Sequence, residues 1–228
     1  MLLHCATKLR AALGAALFVF AAAITQGFAA DADADALLTA ARSGDVAVVN
    51  KLLGQGAKPD VRDAQNRSAL LIATHANQIA VARALIAAGA DVNAKDNIQD
   101  SPFLYAGAEG RLEILKLTLA AGADLVSTNR YGGTALIPAC HHGHVETVRE
   151  LLKTAIKVDH VNNLGWTALL ETVILGDGGP RYQEITRLLI AARADVNLAD
   201  RDGKRPLAHA RARGFSEIAK ALSTAGAR

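Results

Sequence analysis

Some residues in this chain could do chemistry. The tract His141-His142-Gly143-His144 puts three imidazoles within four residues. Imidazole nitrogens ligate zinc and move protons. The flanking apolar pattern is helical, however, and adjacent helix positions point about 100° apart, so His141 and His142 do not converge on one ion. Glu171 is an acid inside the apolar run TALLETVIL. If buried it needs a partner, and His209, at the matching place in a later segment, is the candidate. Cys140 sits beside His141, but a reactive thiolate needs an electropositive setting, and its small-residue helix position indicates packing. The stretch GDGGPRY, Gly176 to Tyr182, has the glycines of a phosphate cradle. A P-loop would follow a strand and end in Gly-Lys-Ser/Thr; this stretch does neither. No G-x-S-x-G, H-E-x-x-H or CxxC occurs. A hydrolase-type or metal-dependent enzyme, using Glu171 with His209 or His141 with His142 and His144, is therefore an alternative class. The sequence assigns no catalytic residue, no metal and no cofactor.

The elements that must position these residues are helical. Hydrophobic content is 51% and aromatic content only 4%, with Ala and Leu dominant, which favours close packing of helices through small side chains. The net charge of +3 owes much to the N-terminus, where Lys8 and Arg10 face no acid. Residues 30–228 hold 23 bases against 22 acids, and a near-neutral chain without a basic run has little electrostatic reason to bind nucleic acid. The basic MLLHCATKLR, the uncharged AALGAALFVFAAAIT and the small residues Gly27 and Ala29 before DADAD form the three-part pattern of a signal peptide over 1–29. Cleavage is expected near Ala29 or Ala30. The apolar run is shorter than the ~20 residues of a spanning helix, so no stable membrane insertion is expected after cleavage. The protein is then periplasmic or secreted. Cys5 precedes the apolar run, and the mature chain keeps Cys140 alone, which excludes an internal disulfide.

Self-similarity sets the architecture. Ser68, Ser101, Thr134 and Thr167 fall at steps of 33, as do Gly44, Asn77, Gly110, Gly143 and Gly176. Six units follow, near 35–66, 67–99, 100–132, 133–165, 166–203 and 204–228. In units two to five a Ser or Thr hydroxyl can cap a short first helix, and Gly can end it where positive φ is cheap. A second helix follows, as in Val145, Val148, Leu151 and Leu152. One unit cannot bury its own apolar face, so neighbours must stack, giving a slab about 50 Å long at the usual helix spacing. Counted from Leu151-Leu152, the matching Leu189-Ile190 lies five residues late. GDGGPRY is thus a lengthened link between the helices of unit five: a surface insertion, with a recognition bump of Asp177, Arg181 and Tyr182 as the functional reading.

The units resemble ankyrin repeats. GADVN stands at Gly89–Asn93, GAD at Gly122–Asp124 and ADVN at Ala194–Asn197. The family's helix-opening His is replaced by Leu71, Leu104, Ile137, Leu170 and Ala208, while His144 occupies its Gly-His position. The resemblance implies an all-α solenoid of about six helix-turn-helix pairs with β-hairpin-like fingers, covering residues 30–228. It also implies non-enzymatic binding of a protein partner on the concave face of fingers and first helices. Carried over position by position, that face is Gln65, Arg67 and His75 in unit two and Asn97, Ile98, Asp100 and Glu109 in unit three. It continues with Arg130, Tyr131, His141 and His142 in unit four, then Asn163, Leu164 and Trp166 in unit five. Unit six adds Arg201, Asp202, Lys204 and Arg213. Trp166, the single Trp, and Tyr131 are expected at neighbouring hairpin tips as anchors, since aromatic side chains bury much area with few rotors. A structural or stress-protective factor without a single partner is the further alternative.

Overall fold

The computed structural model of the chain describes residues 32–228; the expected signal peptide and its cleavage point lie outside them. The described residues form six helix pairs. The first helices are α1 (residues 32–43), α3 (Ala69–His75), α5 (Pro102–Ala108), α7 (Leu136–His141), α9 (Ala168–Leu175) and α11 (Pro206–Ala212). The second helices are α2 (Val46–Gly54), α4 (Ile79–Ala87), α6 (Leu112–Ala120), α8 (Val145–Leu151), α10 (Pro180–Ala191) and α12 (Ser216–Thr224).

First helices pack on first helices and second on second, unit after unit, as the all-α solenoid of ankyrin type requires. The core is correspondingly periodic: Leu70, Phe103, Leu136 and Leu169 are fully buried in the first helices, and Leu85, Leu151 and Leu189 in the second. Each such side chain contributes ~1.5–3 kcal/mol on burial, realised both within its own helix pair and against neighbouring units.

Ser and Thr cap the first helices of units two, three and five as their sequence predicts; in unit six Arg205 holds the cap position without a side-chain bond, and unit four departs as well. The hydroxyls of Ser68, Ser101 and Thr167 accept from the amides of Leu71, Leu104 and Leu170 at 3.1–3.2 Å. Their own carbonyls accept from Ile72, Tyr105 and Glu171, all at 2.9 Å. In unit four the residue at that last position is Pro138, which has no N–H. The Thr134 carbonyl takes the Ile137 amide instead, at 3.2 Å, and the buried Thr134 hydroxyl is left without a partner.

The fingers between units are turns rather than strands; among the described residues a single bridge, Arg62 with Ser68, has sheet geometry. Each finger is built on one Asp or Asn. Asp63, Asp96, Asn129, Asn162 and Asp200 each offer Oδ1 to two backbone amides, two and four residues on.

GDGGPRY is accommodated differently from a plain loop. Gly176 does not take the left-handed turn that Gly44, Asn77, Gly110 and Gly143 take; it is extended at φ −67°, and Gly178 turns instead at φ +75°. The Asp177 carboxylate accepts from the Gly179 amide at 2.7 Å, and Pro180 opens α10. Three residues of the stretch thereby become an added first turn, and α10 runs to 12 residues where its counterparts have 7 to 9. Tyr182 is no exposed bump. It is 7% exposed, and its hydroxyl donates to the His141 carbonyl at 2.9 Å. From the other side Arg213 donates to the carbonyls of Ile174 and Gly176. The insertion is stitched to units four and six.

Candidate functional site

Three consecutive units enclose a cleft of about 420 Å³. With each finger counted in the unit whose helices follow it, unit three supplies Asp100, Tyr105 and Glu109; unit four supplies Arg130, Tyr131, Pro138, His141 and His142; unit five supplies Asn162, Leu164, Glu171 and Leu175. The repeat places the same positions side by side: the finger descends beside the first helix of its own unit, and the next unit supplies the far wall. Among the expected binding residues, Asp100, Glu109, Arg130, Tyr131, His141, His142 and Leu164 come together here.

The others stand elsewhere. Arg67 is tied to Asp63, its Nε donating at 2.8 Å. His75 is stacked on Tyr105 with ring centroids 3.9 Å apart, its Nε2 buried without a partner. Exposed Asn97 and Asn163 clip fingers to their neighbours, their amides donating to the carbonyls of Gln65 and Tyr131 at 3.2 and 2.9 Å. Ile98 is exposed at the tip of unit three's finger. Trp166 is not at a tip: it is half-buried, its amide donates to Asn162 Oδ1 at 3.0 Å, and its register matches Asp100 and Gly133. The tip positions are Ile98, Tyr131 and Leu164.

Glu171 lies at the inner end of the cleft, 5% exposed. The expected partnership with His209 does not form. Each residue finds a partner in its own unit, nine positions back, because the finger folds onto its own first helix. Asn162 Nδ2 donates to Glu171 Oε1 at 2.9 Å, and His209 Nε2 meets Asp200 Oδ2 at 2.7 Å. Burial pushes the Glu171 carboxyl up to about 7, against the Asn162 hydrogen bond and the charge of His142. Across the cleft His141 Nδ1 stops 3.5 Å from Glu171 Oε2, and burial, with His142 beside it, holds the His141 imidazole below its ordinary value.

His142 Nδ1 lies 2.6 Å from the Ala108 carbonyl; a carbonyl only accepts, so that nitrogen carries a proton. The rings of His141 and His142 are 4.7 Å apart and tilted, and His144 meets His142 edge-on at 5.8 Å. Among the described residues no group of three His, Cys, Asp or Glu side chains is placed to hold a metal ion. Cys140 is fully buried with its thiol pushed far up by desolvation, which suits packing and not nucleophilic attack. On the rim, the Arg130 guanidinium lies over the Tyr131 ring at 4.9 Å and 3.5 Å from Asp100 Oδ2. Burial raises the Asp100 carboxyl's pKa, with Arg130 opposing.

Also among the described residues, no helix is long and apolar enough to cross a membrane. A family model described as ankyrin repeats in three copies matches residues 3–96, 37–129 and 103–178. The crystal structure of an ankyrin repeat domain from Acinetobacter baumannii is 59% identical, covers 84% of this chain and 98% of that one, and superposes with a TM-score of 0.82. The ankyrin repeat protein EF0377 is 42% identical over 82% of this chain and 96% of its own, with a TM-score of 0.80. The ankyrin repeat domain of Bcl-3, a member of the IkappaB family, is 26% identical over 85% and 86% of the two chains, at 0.76. The putative ankyrin repeat protein YahD of Escherichia coli K12 is 50% identical over 58 residues, which are 25% of this chain and 29% of YahD. Stacked helix pairs, finger turns and family match agree: the chain belongs to the ankyrin-repeat family.

Proposed function

We propose that this chain is a non-enzymatic binding module, exported to the periplasm or beyond the cell, that holds a partner protein across the fingers and first helices of units three to five. Ankyrin repeats are in general protein–protein interaction modules, and no enzyme family is indicated by the relatives. One observation carries the location. Ile98, Tyr131 and Leu164 occupy the same finger position in consecutive units and are 52%, 54% and 47% exposed. Scattered apolar side chains on a surface need no explanation; three at one register form a continuous stripe. The flanking units put polar Gln65 and Asp202 there, so the stripe ends where the cleft ends. Tyr131 with Arg130 over its ring is the kind of aromatic and guanidinium pair that anchors interfaces. Export rests on the N-terminal basic, apolar and small-residue pattern.

The test is photocrosslinking in the producing cells, with a benzophenone amino acid at Ile98, at Leu164 and, as control, at Val126, which is exposed and outside the cleft. The same discrete protein should be captured from 98 and 164 and not from 126. Capture of nothing, or of the same products from all three, overturns the location. N-terminal sequencing of the recovered protein should begin at Ala30 or Asp31; a retained Met1 overturns the export reading.

A further inference from the structure

The cleft beneath the stripe has a charge imbalance. Asp100 is answered by Arg130, 3.5 Å away. Among the described residues, Glu109 and Glu171, on the unit-three and unit-five sides, have no ion pair with a Lys or Arg. Glu171 is the informative member. It is 5% exposed, and Oε1 is held by Asn162. Among the described residues no hydrogen bond reaches Oε2: His141 Nδ1 halts at 3.5 Å, beyond useful hydrogen-bond length. With its residue 5% exposed, Oε2 meets only the water the cleft admits, and an incoming charged donor recovers desolvation free energy that this water does not.

The cavity is shaped for a side chain rather than a bare ion. Its volume of about 420 Å³ falls at the small end of the ~300–1,000 Å³ range of organic-ligand sites. Its walls include the ring of Tyr105, fixed by stacking on His75, and that of Tyr131. Aromatic faces attract guanidinium and ammonium groups within ~6 Å, as Tyr131 already does with Arg130 at 4.9 Å. An anion would meet two unanswered carboxyl groups, and a neutral apolar group would bury them unpaired.

We propose that this cleft receives one basic side chain, arginine or lysine, of the partner protein, which bonds Glu171 Oε2 while flanking apolar residues of the partner lie on Ile98, Tyr131 and Leu164. This rests on the proposed protein-binding function and adds the chemistry of the recognised residue. An incoming cation also favours ionised Glu171, so occupancy draws the carboxyl back toward its ordinary range.

The experiment is selection of a random peptide phage library on the immobilised full-length protein at pH 8, beside the Glu171→Gln variant, both first shown folded by circular dichroism. Peptides recovered on the unaltered protein should share one Arg or Lys among apolar residues. Replacing that residue by citrulline or norleucine should weaken binding roughly tenfold or more, the scale for losing one member of a desolvated charge pair. On Glu171→Gln the basic preference should vanish while the apolar preference remains. Peptides that bind the cleft without a shared basic residue, or equally on both proteins, overturn the cation site and leave the protein-binding function standing. If no peptide is enriched, or those enriched do not compete with one another and ignore Tyr131→Ala, the cation site falls with the function it rests on.

Discussion

Replacing Glu171 by Gln should leave stability unchanged at pH 4 and raise it at pH 8. Burial lifts the carboxyl to about 7 in the folded protein against an ordinary 4.5. Below pH 4.5 it is protonated in both folded and unfolded chains and contributes nothing to the pH dependence. As pH rises, the unfolded chain releases this proton first, so native stability falls between about 4.5 and about 7 and is level above. The full difference corresponds to ~3.4 kcal/mol. One side of the cleft is open to water, which screens the charge and cuts this to about 1–2 kcal/mol. For a chain of this size that is about 2–8 °C in melting temperature. Gln keeps the carbonyl that accepts from Asn162 Nδ2, so the finger contact survives. His141, held low by burial, gives a slope of the opposite sign, losing stability as pH falls through its folded value. It is present in both proteins, so its burial contribution cancels in their difference, and what remains is the part that depends on the Glu171 charge 3.5 Å away. Urea titrations of the two proteins at pH 4, 6 and 8 measure that difference. A variant less stable than the parent at pH 8 would show Glu171 ionised and paired with a protonated His141, and the reasoning would fail. A difference independent of pH would equally refute it.

The unsatisfied Thr134 hydroxyl predicts that Thr134→Val stabilises the protein by about 1 kcal/mol, since a buried hydroxyl without a partner costs about 1–3 kcal/mol. Ser101→Ala, which removes a working cap, should cost about 1 kcal/mol; denaturant midpoints of the pair must move in opposite directions. Tyr182→Phe should lose about 1 kcal/mol by cutting the bond to the His141 carbonyl, with the ring still filling the space beside Gly143 and Gly176. A midpoint unchanged within error would show that the insertion is not stitched to unit four by that hydroxyl.

Much of the fold is written in the 33-residue step, because stacked identical modules must present the same residue types at the same places. Ser68, Ser101 and Thr167 could be recognised as caps from sequence for that reason. The failure at Thr134 also had a signal, Pro138 four residues on, whose missing N–H displaces the bond that would have freed the hydroxyl to cap. Residue type alone puts Trp166 at a tip, as an aromatic that ought to anchor a partner. Its register, one step of 33 from Gly133, puts it at the base of the finger. The partners of Glu171 and His209 were harder. They lie nine residues back, a spacing meaningful only once a finger is known to fold against its own first helix. GDGGPRY was legible as an insertion, but its conversion into helix turned on Pro180 opening α10 and on Tyr182 finding a buried niche between Gly143 and Gly176. The cleft itself had no sequence motif, because it is made of differences between neighbouring units.

Those differences separate what the fold needs from what it leaves free. The bond between finger and first helix is made with one polarity in unit five, where Asn162 donates and Glu171 accepts. In unit six the acid, Asp200, is on the finger and the donor-capable His209 is on the helix. Either arrangement satisfies the same two positions, so stacking does not demand an acid at 171. Units two to four dispense with the polar pair altogether, with Ile72, Tyr105 and Pro138 at the helix position. A carboxyl in a half-closed cavity lowers stability at neutral pH, and the fold offers three apolar or aromatic alternatives and one basic one at the same site. A cost carried at a position where the architecture does not require it is accounted for by what enters the cavity, and the group that relieves a buried, unanswered carboxylate is a cation.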